Sequence, residues 1–211
     1  NATLLFTEKP TEEDSIMIEI NADQKMILDM VKKLTREKIK SMTAEMDETD
    51  SFPWELVKIY TENGLISPTV PQKFGGAGIN YLLFSLILEE ISKVSASAAL
   101  LLIAQADGLA PIIIGGSEEQ KDRYLSDFVK GKLACFAATE PDAGSDVQAM
   151  KTRAVRKGDG YVINGQKCFI TNGAVADVLT LFVYTDPEKN QKASPPLLLK
   201  RELKVSYTEK M

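Results

Sequence analysis

Two short stretches of the chain combine apolar residues with hydroxyl and carboxylate groups in a pattern that could hold a planar ligand. The first, Cys135–Asp146, reads CFAATEPDAGSD, so an apolar run ends in Thr139 and Glu140 and continues into a polar loop. The second, Lys167–Gly173, reads KCFITNG and ends in Thr171 and an Asn-Gly turn. Two strand ends of this kind would offer aromatic faces, hydroxyls and backbone N–H groups to one ligand. They suit a planar, hydrogen-bonding cofactor with a phosphate tail.

Two other polar features of the sequence resemble sites but have simpler interpretations. Glu140 and Asp146 could form an acid pair, yet carboxylates in a tight loop commonly accept turn and cap hydrogen bonds, and we expect that role. The glycine-rich stretch 71–80 resembles a phosphate cradle. No Gly-Lys-Ser/Thr follows it and no strand leads directly into it, so we expect an ordinary loop.

Composition excludes several classes of site. The chain has 211 residues, is 44% hydrophobic and 26% charged, and carries a net charge of −5, without the basic face of a nucleic-acid binder. It contains no histidine, which removes Ser-His-Asp and Cys-His nucleophiles and the commonest metal ligand, so no metal site is predicted. We expect its two cysteines, Cys135 and Cys168, to be reduced, buried thiols in strand-like runs. The apolar run Ala98–Ala104 is far shorter than the roughly 20 residues of a membrane span, so none is predicted.

The first part of the chain reads as an extended lead-in over residues 1–20, followed by helices. Asn21 and Gln24 form a capping-box pair that starts a helix running into the low forties. A second helix begins at Phe52-Pro53 and ends at Asn63-Gly64. Residues 81–110 are apolar nearly throughout and predict two buried helices joined near Ser95, and Ser117 caps a further amphipathic helix.

At Leu133 the hydrophobic period changes from helical to alternating. Turn signals then recur about every ten residues, and the runs at 152–155, 161–163 and 178–184 are typical of strands. Helices followed by strands indicate an α+β fold. We predict an all-α helical domain over residues 1–131 and an antiparallel β-sheet or barrel domain over residues 132–211.

Several motifs in this order resemble the acyl-CoA dehydrogenase family, most closely its short-chain and branched-chain members. The resemblance covers roughly residues 20 to 190. It rests on the following stretches: FPWELV (52–57), VPQKFGGAG (70–78), LEEI (88–91), GSEEQK (116–121), TEPDAGSD (139–146), NGQK (164–167) and ITNG (170–173).

This resemblance implies an FAD-dependent enzyme of fatty acid metabolism that desaturates acyl-CoA thioesters between the α and β carbons, as in β-oxidation. A glutamate removes the α proton, a hydride passes from the β carbon to the flavin, and electrons leave to electron-transferring flavoprotein. FAD lies between the central β domain and a C-terminal four-helix domain, usually in a homotetramer. The location implied is the bacterial cytosol or the mitochondrial matrix.

The resemblance also assigns ligand contacts, residue by residue. The flavin ring would be lined on one side by the end of the first stretch and covered on the other by the second, and the loop between Glu140 and Asp146 would approach the pyrophosphate and the CoA arm. The residues that line the ring are Phe136, Ala138 and Thr139. The residues that cover its other face are Phe169, Ile170 and Thr171. The loop residues are Gly144 and Ser145, and Ser145 would also bind substrate.

The chain departs from the family pattern at several of these positions. Phe136 stands where the family usually has Tyr or Leu, Ala138 replaces a larger aliphatic residue, and Phe169 replaces Trp. Beyond Lys192 the match weakens at SPPLLLK, residues 194–200. Both locations of the family's catalytic glutamate, and the four-helix domain itself, would fall beyond Met211, so no residue of this chain is expected to be the α-proton base.

Three interpretations stay open at the level of sequence. The chain could belong to an acyl-CoA dehydrogenase that acts only with the C-terminal domain. It could be a non-catalytic truncated paralogue that serves in assembly or binding. Within the enzyme class, an acyl-CoA oxidase or an enoyl-CoA reductase would carry the same motifs.

Overall fold

The computed structural model describes residues 19–49 and 51–185 with side chains, and the backbone of 197–200. Most of the lead-in, and the tail from Ser194 apart from that backbone, lie outside the described residues. Helices precede strands, as predicted. The helices are α1 (Ala22–Leu34), α2 (Lys40–Thr49), α3 (Trp54–Glu62), α4 (Tyr81–Ser92), α5 (Ala96–Gly115) and α6 (Glu118–Val129). The strands are β1 (Ala134–Ala137), β2 (Arg153–Lys157), β3 (Gly160–Asn164), β4 (Val178–Leu181) and β5 (Leu197–Lys200).

The first helix begins where the capping pair predicts and extends further than predicted. Asn21 Oδ1 accepts from the Gln24 backbone N–H at 2.9 Å, and Gln24 Oε1 accepts from the Asn21 backbone N–H at 2.9 Å. α1 then passes through a π-helical turn at Thr35–Ile39 directly into α2. No glycine or proline interrupts the chain between Asn21 and Phe52, so nothing in the low forties stops the helix.

The remaining helix boundaries confirm the sequence signals. α3 follows Pro53 and ends before Gly64, which adopts a left-handed backbone with φ 68°. α4 and α5 are separate helices because Ser95 caps α5, its hydroxyl accepting from the Ala98 N–H at 3.1 Å. Ser117 caps α6 in a second capping box with Gln120. α1, α3, α4 and α5 enclose one apolar core, and the Tyr60 hydroxyl within it donates to the Ala98 carbonyl at 3.0 Å. Leu125 and Phe128 of α6 belong to a second apolar cluster.

α5 is the helix that joins the helical part to the strands. Among the described helices it alone is long and apolar enough to cross a membrane, a feature that the shorter run Ala98–Ala104 did not reveal. Half of its apolar window is buried inside the protein, which is the pattern of a core helix. β1 crosses it at Gly108, where an added Cβ would come within 2.8 Å of the Ala134 Cβ. Thr180 Oγ1 of β4 donates to the Gly108 carbonyl at 2.7 Å.

The strands form two separate sheets within the described residues, and these close no barrel. One sheet has the order β1-β4-β5 and the other is the β2-β3 hairpin. The expected antiparallel pairing holds for the hairpin and for β4-β5, and it is wrong for β1-β4, which pair in parallel from Ala134↔Val178 to Ala137↔Leu181. A parallel pair requires a long crossover, and residues 138–177 provide it. The fold is therefore helices followed by a small mixed-sheet region, and the domain boundary at residues 131/132 stays a prediction.

Candidate cofactor site

β1 ends by presenting an aromatic ring between two buried neighbours. Cys135 and Ala137 are buried, whereas Phe136 is 37% exposed and faces the opposite side of the strand. The Phe136 ring lies 4.6 Å from the Phe182 ring, at an interplanar angle of 50°. The strand pairing ends at Ala137, so Ala138 and Thr139 continue beyond the sheet and are only partly covered.

The second stretch of the predicted site lies close by but is not a strand end. Residues 165–170 have no regular structure and 171–175 form turns, so Cys168 is a half-buried thiol in an irregular segment and not part of a strand. The reason is conformational, since Phe169 and Asn172 both adopt positive φ, at 56° and 65°. An extended strand cannot contain such residues. The segment is still joined to the end of β1, because the Cys168 N–H donates to the Thr139 carbonyl at 3.0 Å.

Phe169 is held in an unfavourable conformation with its ring in solvent. The ring is 92% exposed, so burial does not offset the cost of its left-handed backbone. The residues on either side are anchored: Cys168 bonds to Thr139, and Ile170 packs against the apolar clusters that contain Ala137 and Cys135. Strained residues held by their surroundings occur preferentially at functional sites. We infer that the ring is presented to a ligand.

The hydroxyl groups of the two predicted stretches have no hydrogen-bond partners among the described residues. Thr139, Ser145 and Thr171 make no side-chain hydrogen bond to any residue that the structure describes. Thr139 is half-buried, and Ser145 and Thr171 are exposed. Their donors and acceptors are therefore available to a bound molecule.

Gly144 and Ser145 lie on an exposed loop that begins with a closed turn. Glu140 and Ala143 exchange backbone hydrogen bonds of 2.9 and 3.1 Å, which fixes the start of the loop. A Cβ added at Gly144 would meet nothing within 4 Å, so no crowding within the described chain requires glycine there. The structure joins Ala138 and Thr139 to the segment of Phe169–Thr171, and it shows no contact between that group and Gly144 or Ser145. Binding of phosphate or CoA by these two residues stays a prediction.

Glu140 is a buried carboxylate with several donors around it. Its Oε1 accepts from the Thr152 N–H at 3.0 Å, from Thr152 Oγ1 at 2.5 Å and from Lys167 Nζ at 2.9 Å, and its Oε2 accepts from the Lys151 N–H at 2.5 Å. Burial alone would raise the pKa of Glu140, but the hydrogen bonds from Thr152, Lys151 and Lys167 together outweigh it and lower the pKa to about 2. Glu140 is thus a permanent anion that accepts hydrogen bonds, as expected, but from more distant partners than its own turn.

A cavity of about 460 Å³ lies between α5 and the end of β1. Its lining residues are apolar except for one carboxylic acid: Asp107, Ala110, Pro111, Ile114, Gly115, Phe136 and Phe182. Asp107 has no hydrogen-bond or ion-pair partner among the described residues, and partial burial raises the pKa of its carboxyl group. No sequence motif pointed to Asp107 as a site residue. The available signal was that Asp107 is the one charged residue in the apolar sequence of α5.

These side chains fit a flavin in their chemistry. An exposed aromatic face, unpartnered hydroxyls and a neighbouring apolar cavity match a flat ring with hydrogen-bonding edges that stacks beside an apolar substrate. No group of histidine, cysteine, aspartate or glutamate within the described ranges could hold a metal ion.

Comparisons with known proteins identify the family of the chain. The family model described as "Acyl-CoA dehydrogenase, N-terminal domain" matches residues 21–132, and "Acyl-CoA dehydrogenase, middle domain" matches residues 135–209. The chain is 49% identical over 193 residues to the cyclohex-1-ene-1-carbonyl-CoA dehydrogenase of Syntrophus aciditrophicus strain SB, covering 90% of this chain and 47% of that protein. It therefore spans about half the length of that curated relative.

Solved structures show the same similarity. Butyryl-CoA dehydrogenase from Megasphaera elsdenii superposes with a TM-score of 0.80 at 30% identity, over 88% of this chain and 50% of that one. An acyl-CoA dehydrogenase complexed with FAD, from Bacillus anthracis, superposes with a TM-score of 0.77 at 30% identity, over 87% of this chain and 31% of that one.

Proposed function

The chain belongs to the acyl-CoA dehydrogenase family, and from that premise we propose that it acts as an FAD-dependent dehydrogenase of acyl-CoA thioesters. The observation that carries the proposal is the pairing of a strained, exposed Phe169 with unpartnered hydroxyls at the end of β1. Among the described residues, burial does not stabilise the Phe169 ring, and the side chains of Thr139 and Thr171 find no hydrogen-bond partner. A bound ring would satisfy all three.

Each residue of the proposed site has a role set by its position. Thr139 and Thr171 would donate hydrogen bonds to the ring edge, and Phe169 and Ile170 would cover one face. Phe136 and Ala138 would form the wall between the ring and the apolar cavity, and Gly144 and Ser145 would approach the pyrophosphate and the CoA arm. When bound, FAD supplies the hydride acceptor. Donors aimed at the ring would favour the negative charge that develops there on reduction.

The cavity beside Phe136 is the proposed place for the acyl group. Its walls are apolar, and its volume of about 460 Å³ admits a short or cyclic acyl chain. The residue that removes the α proton is assigned by resemblance to the family's C-terminal part and is not assigned to any residue here. Electron-transferring flavoprotein as acceptor and a homotetrameric assembly are proposed on that same resemblance.

Asp107 favours a second class of substrate, the cyclic enoyl thioesters. The relative from Syntrophus aciditrophicus is named for cyclohex-1-ene-1-carbonyl-CoA. In such a thioester the α carbon carries a double bond and no hydrogen, so a proton must leave from a more distant ring carbon. Among the described residues, Asp107 is the one titratable group that lines the cavity, and its carboxylate could accept that proton.

The proposal is tested by combining this chain with a C-terminal domain of the family, which by resemblance supplies the α-proton base. The combined protein is loaded with FAD, and dye-coupled oxidation of butyryl-CoA and of cyclohex-1-ene-1-carbonyl-CoA is measured. We expect a bound flavin with a visible spectrum that is bleached by at least one thioester. Retention of FAD without bleaching by either would favour the binding or assembly interpretation. Failure to bind FAD at all would contradict the proposal.

A further inference from the structure

The backbone carbonyls at the end of β1 leave the sheet and need other partners. The pairing with β4 ends at Ala137, whose carbonyl accepts from the Phe182 N–H at 3.0 Å. Beyond it, the Ala138 carbonyl accepts from Lys167 Nζ at 2.8 Å, and the Thr139 carbonyl accepts from the Cys168 N–H at 3.0 Å. Two adjacent residues of the second segment therefore replace the missing strand.

The ammonium group of Lys167 reaches the Ala138 carbonyl from a buried position beside Glu140. Nζ lies 2.9 Å from Glu140 Oε1, and the side chains of the pair are only 9% and 6% exposed. Three further hydrogen bonds, from Lys151 and Thr152, fix the Glu140 carboxylate. Buried pairs of this kind depend on good geometry and on additional hydrogen bonds, and this pair has both.

The pair connects the two sides of the proposed flavin site. Glu140 directly follows Ala138 and Thr139 along the chain, and Lys167 directly precedes Cys168 and Phe169. A shift of Glu140 or of Lys167 would therefore displace its neighbours along the chain. On one side these are Ala138 and Thr139, and on the other they are Cys168 and the strained Phe169.

We propose that the buried Glu140–Lys167 pair is a positioning element that sets the spacing between the two sides of the flavin site and influences the flavin by its charges. This inference rests on the proposed function for its ligand, but its structural part concerns this chain alone. Neither residue touches the ring in the proposal. Both act through Ala138, Thr139 and Phe169.

Removing one charge or the other should shift the midpoint potential of a bound flavin in opposite directions. Reduction adds negative charge to the ring, so a nearby uncompensated cation favours the reduced form and an uncompensated anion disfavours it. Glu140→Gln leaves Lys167 uncompensated while keeping the side chain's shape. Lys167→Met leaves the Glu140 carboxylate, which still accepts three hydrogen bonds and so stays ionised.

The matched control is the exposed ion pair in the same loop. Lys151 Nζ lies 2.7 Å from Asp142 Oδ2, with both side chains more than two-thirds exposed at 73% and 71%. Lys151→Met removes a charge and an ion pair near Glu140 and leaves the Lys151 N–H bond to Glu140 in place.

The experiment measures the midpoint potential of bound FAD in the wild type, in the three variants and in the double variant Glu140→Gln/Lys167→Met. We expect a positive shift for Glu140→Gln, a negative shift for Lys167→Met and little shift for Lys151→Met. The double variant, neutral at both positions, should lie between the two single variants. Shifts of the same sign in both single variants, or shifts no larger than the control's, would overturn the role of charge.

A second readout separates this inference from the proposed function. Hydrogen exchange of the Cys168 amide needs no flavin, and it should be faster in Glu140→Gln and Lys167→Met and unchanged in Lys151→Met. If the wild type fails to bind FAD, the proposed function is contradicted while the exchange result still decides whether the pair positions the two segments. Unchanged exchange at Cys168 in both variants would overturn the positioning role whatever the flavin does.

Discussion

Phe169 combines an unfavourable backbone conformation with an exposed ring. Its left-handed backbone costs an ordinary residue about 1–2 kcal/mol, and its ring is 92% exposed, so burial returns nothing. Side chains with a Cβ persist in such conformations only where their neighbours enforce them. The anchors on either side, at Cys168 and Ile170, do so here.

Replacing Phe169 should therefore separate stability from binding. Phe169→Gly removes the conformational cost but adds about 0.5–1 kcal/mol of backbone entropy, so the free energy of unfolding should stay within about 1 kcal/mol of the wild type. Phe169→Val also removes the ring but keeps the strained backbone, and it should be the less stable variant in urea unfolding. Both should lose at least tenfold in FAD affinity, measured by flavin fluorescence. Wild-type affinity in either variant would exclude Phe169 from the site.

We expect Asp107 to act as a base only on substrates that lose a proton from a ring carbon beyond the α carbon. Asp107→Asn should lower the turnover of cyclohex-1-ene-1-carbonyl-CoA by about 10²-fold or more, because general-base catalysis contributes at least that much, and affect butyryl-CoA far less. Since the carboxylate form is required, the wild-type rate should rise with pH through the raised pKa of Asp107, and the variant should lose this dependence. The control is Asp122→Asn, a surface carboxyl on α6. Equal losses on both substrates would contradict the assignment.

At the scale of elements, Glu140 links β1 to the start of β2 and to the Lys167 segment. Its pKa is lowered from 4.5 to about 2, so the unfolded chain binds the proton more readily than the folded one. Its stabilising contribution is therefore complete above about pH 4.5 and is lost as pH falls towards 2. At about 1.4 kcal/mol for each pKa unit, that contribution is roughly 3 kcal/mol.

The lowered pKa of Glu140 predicts how the stability of the Glu140→Gln variant, relative to the wild type, depends on pH. Glu140→Gln should unfold more easily than the wild type at pH 7, and the difference in the free energy of unfolding should shrink between pH 4.5 and pH 2.5. Denaturant titrations at a series of pH values measure it directly. A difference that stays constant over that range would mean that the carboxylate's ionisation is not what stabilises the fold.

The crossing of α5 and β1 depends on the absence of a side chain at Gly108. An added Cβ would come within 2.8 Å of the Ala134 Cβ and 2.9 Å of the Cys135 nitrogen, so Gly108→Ala must push β1 away from the helix. We expect a loss of about 1–3 kcal/mol in the free energy of unfolding, which is typical of overpacking. Gly115→Ala in the same helix is the control, because its Cβ would meet nothing within 4 Å. A neutral Gly108→Ala would show that the helix and strand do not pack as closely as described.

The sequence predicted the elements whose signals are local and missed those set by distant contacts. Capping residues at Asn21, Ser95 and Ser117 and the left-handed Gly64 marked helix boundaries because each acts on its own turn. The parallel pairing of β1 with β4 has no local signal, since either orientation would bury the same alternate residues. The irregular backbone of 165–170 was equally hidden, because Phe169 and Ile170 are residue types that favour strands.

The candidate site also contains residues that motifs predicted and residues that only the structure brings together. The aromatic and hydroxyl positions were predicted from motifs, whereas the Glu140–Lys167 pair joins residues that are far apart in sequence and was not predicted. Asp107 was overlooked because the helix around it is apolar and a single carboxyl group in such a helix has no motif.

At the scale of the whole molecule, α5 organises both the core and the candidate site. One part of the helix packs against α4 and the strands, and its last turns line the cavity beside Phe136. Gln105 connects these regions by accepting from the Ala134 N–H at 2.7 Å and donating to the Lys132 carbonyl at 2.9 Å. The helical part and the strands therefore share one junction, and the cavity opens beside it.

The central claim is that the end of β1 and the Phe169 segment together hold a flavin ring. The most direct measurement is a crystal structure of the protein with FAD bound. We expect the ring to lie within hydrogen-bond distance of Thr139 and Thr171, with Phe169 against one face and the cavity of Phe136 and Asp107 open beside it. A flavin bound elsewhere, with Phe169 still in solvent and both hydroxyls unpartnered, would contradict it.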